Sequence, residues 1–475
     1  MEISKPEDVV GRDTEWSALA DFSQASDPPG GVGLIYGRRR TGKSFLLRRL
    51  VKAVGGLYFQ ATESERPDAL TEFGEAVAAM DAERTGRRAE PIRYANWADA
   101  LGRRSGVVVI DELPYLLRHS PELPSLLQRL ADEANNGDRD QLRVILCGSS
   151  LSVMSELLSG QQPLRGRATL DLLLRPMEHR AAANLWGMDE LDLALRLNAI
   201  FGGAPGYRAL TTGNPRSVND LGRWLGTNVL NPNHALYRED DYLLQEERTI
   251  TDRALYGAIL RAIASGVSTQ TELAARLGRS RESLSHPMST LLRAGFVLKH
   301  QDVLSQRRPE YRLADPIIRF LRLVVDPGRV MLDEGDWSGV WKRAVHRMDA
   351  NIYGPHLEQV THQWAKSDVS PSTGYVTRVG HTRVSDPSTR KAIEVDLAVV
   401  GEGQPGREEI HLLGEVKWSR QGFDGAPVER LARARDLLGQ TGYDVSRCEL
   451  VLVSRTRPTN SGQGLRVGLP DLYGR

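Results

Sequence analysis

Gly37-Arg38-Arg39-Arg40-Thr41-Gly42-Lys43-Ser44 follows an apolar run, Gly33-Leu34-Ile35-Tyr36, and precedes a helical one, Phe45 to Val51. Glycines at the first and sixth positions let the main chain wrap closely, so that successive N–H groups face phosphate oxygens. A helix opening near Gly42 adds the positive end of its dipole. From there Lys43 reaches β- and γ-phosphates, and Ser44 offers its hydroxyl to magnesium. Gly37, Arg38, Arg39, Arg40, Thr41, Gly42, Lys43 and Ser44 therefore form the candidate nucleotide-binding set, with ATP and Mg2+ as cofactors. The alternative is a glycine-rich turn with a solvated lysine and serine; the flanking strand and helix weigh against it.

Further along, Val107-Val108-Val109-Ile110 runs into Asp111-Glu112. Four consecutive apolar residues suit a parallel strand buried on both faces, and open α/β sheets bind ligands at the carboxyl ends of such strands. Asp111 is placed to hold magnesium and Glu112 to polarise the attacking water. A third strand, Arg143 to Cys147, leads into Gly148-Ser149-Ser150. A serine there either senses the γ-phosphate or caps the next helix.

The composition bounds the rest. A chain of 475 residues corresponds to about three domains at roughly 100–200 residues each. Hydrophobic residues at 40% and charged ones at 26% are ordinary for a soluble chain. Sixty-two basic and sixty-one acidic residues nearly cancel, so any basic surface must be local. Cys147 and Cys448 each sit in an apolar run and read as small core residues of a reducing compartment, not as a disulfide. No apolar stretch approaches the roughly 20 residues that cross a bilayer, and the charged start lacks the apolar core of a signal peptide. A cytoplasmic protein with no membrane partner is expected.

Several segments in order now carry a resemblance. Val10-Gly11-Arg12-Asp13-Thr14-Glu15, the GRRRTGKS loop, IDELPYLL (Ile110 to Leu117), CGSS (Cys147 to Ser150), PLRGR (Pro163 to Arg167) and GGAPGY (Gly202 to Tyr207) resemble the archaeal-type ATPases of the STAND class over roughly residues 8–330. The resemblance implies an α/β P-loop core with a parallel sheet over residues 1–180, a helical lid over 181–250 and a winged helix over 251–330. It implies a nucleotide-gated switch with slow turnover, and relatives that form homo-oligomers. It also places Arg12 at the base or the sugar, brings Arg167 toward the phosphates, and makes a lid turn of Gly202, Gly203 and Pro205.

The middle of the chain has its own pattern. Tyr256 to Ala264 is amphipathic. Thr269, with Glu272 three residues on, caps a second helix, and Ser280 begins a third in which Leu284, Met288, Leu291 and Leu292 recur at helical spacing. Phe296-Val297-Leu298 and Tyr311-Arg312-Leu313 can pair as a wing. Helix, turn, helix and wing is a common DNA-binding arrangement. Nine Lys/Arg against four Asp/Glu over residues 261–312, with Arg279, Arg281 and Arg293 near the third helix and Arg307 and Arg308 in the wing, suit phosphate contact. The same module also serves as mere packing in such ATPases.

A second chemical signal lies in residues 331–475. Ile393 to Val399 alternates, so Glu394 and Asp396 share a face. In Leu412 to Trp418, Glu415 and Lys417 share a face in the same way. Asp396 and Glu415 can converge on one divalent ion, Lys417 can orient a water beside it, and Glu358, in a helix from about Pro355 to Lys366, can complete the carboxylate set. Oxygen ligands suit magnesium, which activates water and stabilises developing charge. The order looks like the α/β PD-(D/E)XK nuclease core. Catalytic candidates are therefore Glu112, Glu358, Asp396, Glu415 and Lys417; metal candidates are Ser44, Asp111, Asp396 and Glu415. His346, His356 and His362 lack the partner spacing of a zinc site, and the tryptophans read as core. The leading reading is an ATP-controlled nuclease-like domain acting on nucleic acid. Its rivals are a non-cutting DNA-binding regulator and a signalling ATPase with an inactive assembly domain.

Overall fold

The computed structural model describes residues 3–25, 31–136, 142–247, 249–305, 309–369, 375–403, 407–419, 423, 426–458 and 464–475. Its first sheet has five strands: β1 (Gly31–Tyr36), β2 (Leu57–Gln60), β3 (Gly106–Asp111), β4 (Leu142–Gly148) and β5 (Ala168–Leu173). All pairings are parallel, in the order β2-β3-β4-β1-β5. The continuous apolar runs of β1, β3 and β4 are explained by two separate cores, one on each face of the sheet. Strand β1 begins two residues earlier than the sequence pattern suggested, because Gly31 and Val32 pair with Arg143 and Val144.

Five helices, His179–Trp186, Leu191–Phe201, Pro205–Leu210, Leu221–Asn228 and Glu239–Glu246, follow the sheet. The helices Arg253–Ala264, Gln270–Leu277 and Arg281–Arg293 come next. The second of these opens on the anticipated capping box: the Thr269 hydroxyl accepts from the Glu272 N–H at 3.3 Å and the Glu272 carboxylate from the Thr269 N–H at 3.0 Å. Strands β6 (Val297–His300) and β7 (Glu310–Leu313) form an antiparallel hairpin. Arg307 and Arg308 lie outside the described residues.

The last sheet joins β8 (Val376–Asp386), β9 (Lys391–Glu402), β10 (Glu408–Lys417), β11 (Glu449–Ser454) and β12 (Leu465–Val467) in the order β12-β11-β10-β9-β8. Strand β9 is antiparallel to both β8 and β10, whereas β10, β11 and β12 run parallel. The helix Gly354–Ser367 covers one face and the helix Pro427–Gln440 the other. One apolar core is continuous from Ala183 to Tyr473, passing through residues on both sides of positions 250 and 330. The helical middle and the last sheet are thus packed as one body, with a separate core only under the helix Pro427–Gln440. Cys147 and Cys448 are free and buried. Among the described residues no helix is long and apolar enough to cross a membrane.

Candidate functional site

Because β4 lies between β1 and β3, the carboxyl ends of these strands set Gly37–Ser44, Ser149 and Asp111-Glu112 side by side. A Cβ on Gly37 would lie 2.3 Å from the Leu174 carbonyl oxygen, so only glycine fits there. Gly42 takes φ +94° where the helix Lys43–Val54 begins. Lys43 is buried, and its Nζ donates to the carbonyls of Gly37 (2.8 Å) and Arg38 (3.0 Å). Burial lowers the Lys43 pKa, opposed by Cys147, Glu112 and Asp111. These features fit a nucleotide's phosphates: a glycine-built cradle, a helix N-terminus and a lysine free to exchange carbonyl partners for phosphate oxygens.

Asp111 is fully buried; its Oδ2 accepts from the Tyr58 hydroxyl and its Oδ1 from the Glu112 N–H at 2.9 Å. Burial and the Asp111 charge push the Tyr58 phenol up, and Ser44 hydrogen-bonds the same group. Sequence reasoning missed Tyr58, although its alternate position in β2 was a usable signal. Glu112 has φ +56°, a strained conformation for a side chain of this kind and one that gathers at functional sites. Burial and Asp111 raise its carboxyl, while Lys43 and the Ser149 hydroxyl, 3.2 Å away, oppose the rise. Of the two serines after β4, Ser149 therefore faces Glu112, and Ser150 is the helix cap, accepting from the Val153 N–H.

The loop arginine side chains hold segments downstream of the sheet. Arg38 Nη1 donates to the Gly295 carbonyl (2.7 Å), and its guanidinium lies over the Phe296 ring and 3.5 Å from Asp315. Arg39 pairs with Glu246, and Arg40 makes a two-point pair with buried Glu239 at 2.9 and 3.0 Å. Only their main-chain N–H groups remain for phosphate. GGAPGY reaches the same loop: the Gly206 N–H donates to the Arg40 carbonyl at 2.9 Å, and Tyr207 donates to Asp315 at 3.0 Å.

Arg12, expected at the base or the sugar, is buried and braces the loop, donating to the Thr41 carbonyl (3.1 Å) and to Glu15 (2.8 Å). One further expectation needs correction. Arg167 does not approach the phosphates. Ala168 registers on Val32 at the start of β1, and five residues of strand separate Val32 from Gly37, roughly 16 Å. Arg167 pairs instead with Asp132 at 2.8 Å.

Residues 12–192 match the family model described as an ATPase domain predominantly from Archaea. They form a P-loop ATPase domain. In sequence, the chain is similar to an uncharacterized protein of Methanocaldococcus jannaschii, 27% identical over 310 residues that cover 64% of this chain and 66% of that protein; the chain thus spans just under two thirds of its length. In structure, it is similar to a Walker-type ATPase of Pyrococcus abyssi (TM-score 0.48, 18% identity, covering 68% of this chain and 98% of that one). It is also similar to the ORC2 protein of Aeropyrum pernix in its ADPNP and ADP complexes (TM-score 0.43, 16% identity, 71% and 97%). The assignment rests on the family match and the loop geometry.

Beyond the ATPase domain, β10 pairs with β9 as far as Gly414 and Leu397, and Glu415 and Asp396 adjoin that pair on the two strands. Asp396 Oδ2 accepts from the Val416 N–H at 2.9 Å, and His362 Nε2 meets the Asp396 carbonyl at 2.6 Å. Burial pushes the Asp396 carboxyl up to about 7; the Val416 N–H opposes this, and the charges of Glu358, Glu415 and Glu394 add to it. Lys417 lies two residues on, half-buried. Two arginines that the sequence did not flag hold the acids: Arg430 pairs with Glu415 at 2.6 Å and Arg312 with Glu358 at 3.7 Å. Among the described residues, no three acidic, histidine or cysteine side chains stand close enough to hold an ion. The expected metal site is thus not formed in this arrangement, and Glu358 and Glu415 face arginines instead.

The hairpin is not a free wing. Val303 donates to the His381 carbonyl (3.1 Å), Asp302 accepts from Thr382 (2.7 Å) and from the Arg383 N–H (2.9 Å), and Glu310 faces His381 and Arg383. It is therefore seated on β8. Arg276, Arg279, Arg281, Arg293 and Lys299 are exposed, and among the described residues they carry no ion pair.

Proposed function

We propose that this chain is an ATP-binding, slowly hydrolysing switch of the STAND type whose output is a metal-dependent, PD-(D/E)XK nuclease-like site at Glu358, Asp396, Glu415 and Lys417. Its units are the ATPase core (1–180), the lid (181–250), a winged helix (251–330) and the nuclease-like domain (331–475). The observation that carries this reading is the anchoring of the phosphate loop: Arg38, Arg39 and Arg40 each grip a segment downstream of the ATPase sheet. A loop built for turnover alone needs no such tethers. Lys43 binds the phosphates, Ser44 and Asp111 hold Mg2+, and Glu112 orients the attacking water. When an ion is bound at Asp396 and Glu415, it supplies water activation and charge stabilisation. Supporting the output are the positions of Asp396 and Glu415 beside the Leu397–Gly414 pair on adjacent strands and the two-residue spacing of Glu415 and Lys417.

The test is a cleavage assay on several DNA and RNA forms with ATP and Mg2+ or Mn2+, comparing wild type, Lys43→Ala and Asp396→Ala. The reading expects cutting that both variants lose. No cutting of any substrate by the wild type sinks the nuclease output.

The exposed basic side chains around the helix Arg281–Arg293 favour a second reading, a DNA-binding regulator that does not cut. It expects DNA affinity that falls steeply with salt, weakens in Arg281→Ala and Arg293→Ala, and ignores Glu415→Ala. Binding insensitive to salt and to both arginines removes it.

A further inference from the structure

We propose that the β6–β7 hairpin is a transmission element: the phosphate loop holds its base through Arg38, and beside that base Arg312 holds Glu358 away from the metal set. The inference rests on the reading of Glu358, Asp396, Glu415 and Lys417 as a metal-dependent site.

Arg38 is where the two ends of the linkage meet. Its carbonyl accepts from Lys43 Nζ and from the Thr41 hydroxyl, at 3.0 and 2.8 Å. Its guanidinium reaches Gly295 and Phe296, immediately before β6, and Asp315, two residues after β7. A single side chain thus spans both legs of the hairpin at its base. Its Nη2 is buried and faces Asp315 at 3.5 Å without a hydrogen bond, so this grip is loose and open to rearrangement. Lys43, on exchanging the Gly37 and Arg38 carbonyls for phosphate oxygens, releases the main chain of the residue that grips the hairpin.

The residue pair next to the base, Leu298 and Arg312, meets the candidate output. Arg312 of β7 places Nη1 3.7 Å from Glu358 Oε2. Arg319, buried just beyond β7, adds a second positive charge near Glu358. The tip is fixed to β8 by the Val303 and Asp302 hydrogen bonds, and Gly380 makes room for it: a Cβ there would lie 2.8 Å from Val303 Cγ1. Arg312 pairs with Leu298, next to the base pair of Val297 and Leu313, so a displacement at the base carries to it directly. An ion pair at 3.7 Å is broken by a small shift, which would leave Glu358 able to turn toward Asp396.

Hydrogen–deuterium exchange on the full chain, with and without saturating ATP and Mg2+, tests the link. The wild type is expected to exchange faster at residues 297–313 and 376–386 with nucleotide, on the order of tenfold, and Arg38→Ala at saturating ATP is expected to show no such rise. No change in the wild type, or an equal rise in Arg38→Ala, overturns the transmission role. Mn2+-dependent plasmid cleavage without ATP tests the latch. Arg312→Gln is expected to exceed wild type by on the order of tenfold, and equal cleavage overturns it. No cleavage by either protein, with the exchange response intact, removes the metal-dependent reading and the latch with it, while the link from loop to hairpin stands.

Discussion

At the residue scale, Lys43 and Glu112 are the groups proposed to bind phosphate and orient water in the ATPase domain, and each is held in a costly state. Lys43 is a buried ammonium that donates to two carbonyls, and charged hydrogen bonds of this kind contribute about 1.5–3 kcal/mol each. Lys43→Ala is therefore expected to weaken nucleotide binding by on the order of 100-fold, read by titration with a fluorescent ATP analogue. An unchanged affinity would remove the loop from the nucleotide site. Glu112, strained at φ +56° and raised by burial and Asp111, is expected to act on water. Glu112→Gln should retain nucleotide while hydrolysis falls by roughly 100-fold or more, as phosphate release would report. Both residues were legible in the sequence, since loop spacing and a strand ending in two acids point to them. Tyr58 and Arg12 show what was not: a hydroxyl on Asp111 and a guanidinium on Thr41 depend on which strand and which helix lie alongside.

Among the elements, the turns and caps are the parts that local sequence governs most directly. Gly203 is a case where space decides, because a Cβ would lie 1.8 Å from the Met177 carbonyl oxygen. Gly203→Ala is expected to cost about 1–3 kcal/mol through that collision, visible as a lower Tm in thermal unfolding. Thr269→Ala removes the capping box and is expected to cost about 1 kcal/mol; a denaturant titration showing no loss would mean that this helix is held by packing alone. The three central helices were readable because capping residues and 3.6-residue spacing are local signals. The seating of the β6–β7 hairpin on β8 was not, since Asp302 and Thr382 lie 80 residues apart.

For the whole molecule, the interface between the hairpin and the last sheet makes stability depend on pH. Burial, then the charges of Arg312, His362 and His381, lower His300 to about 4. The unfolded chain takes up this proton near 6.5, whereas the folded one resists it until about pH 4. The stability that His300 contributes is therefore complete above pH 6.5 and is lost as pH falls through 4. His300→Gln is expected to flatten the decline of Tm between pH 6.5 and 4, and a parallel decline in both proteins would remove His300 as a cause. Periodicity, glycine spacing and strand-end acids in the sequence by themselves determined the phosphate loop, the parallel sheet behind it and the strands that carry Asp396 and Glu415, because each is set by neighbours a few residues away or by the period of a strand. Only the tertiary structure decided what the loop arginines hold and what faces Glu358. Arg38 meets Gly295 across 257 residues and Arg40 meets Glu239 across 199, and long charged side chains take whichever partner the packed core brings within reach. The loop at Gly37–Ser44 was legible as chemistry, and its attachment to the rest of the molecule only as geometry.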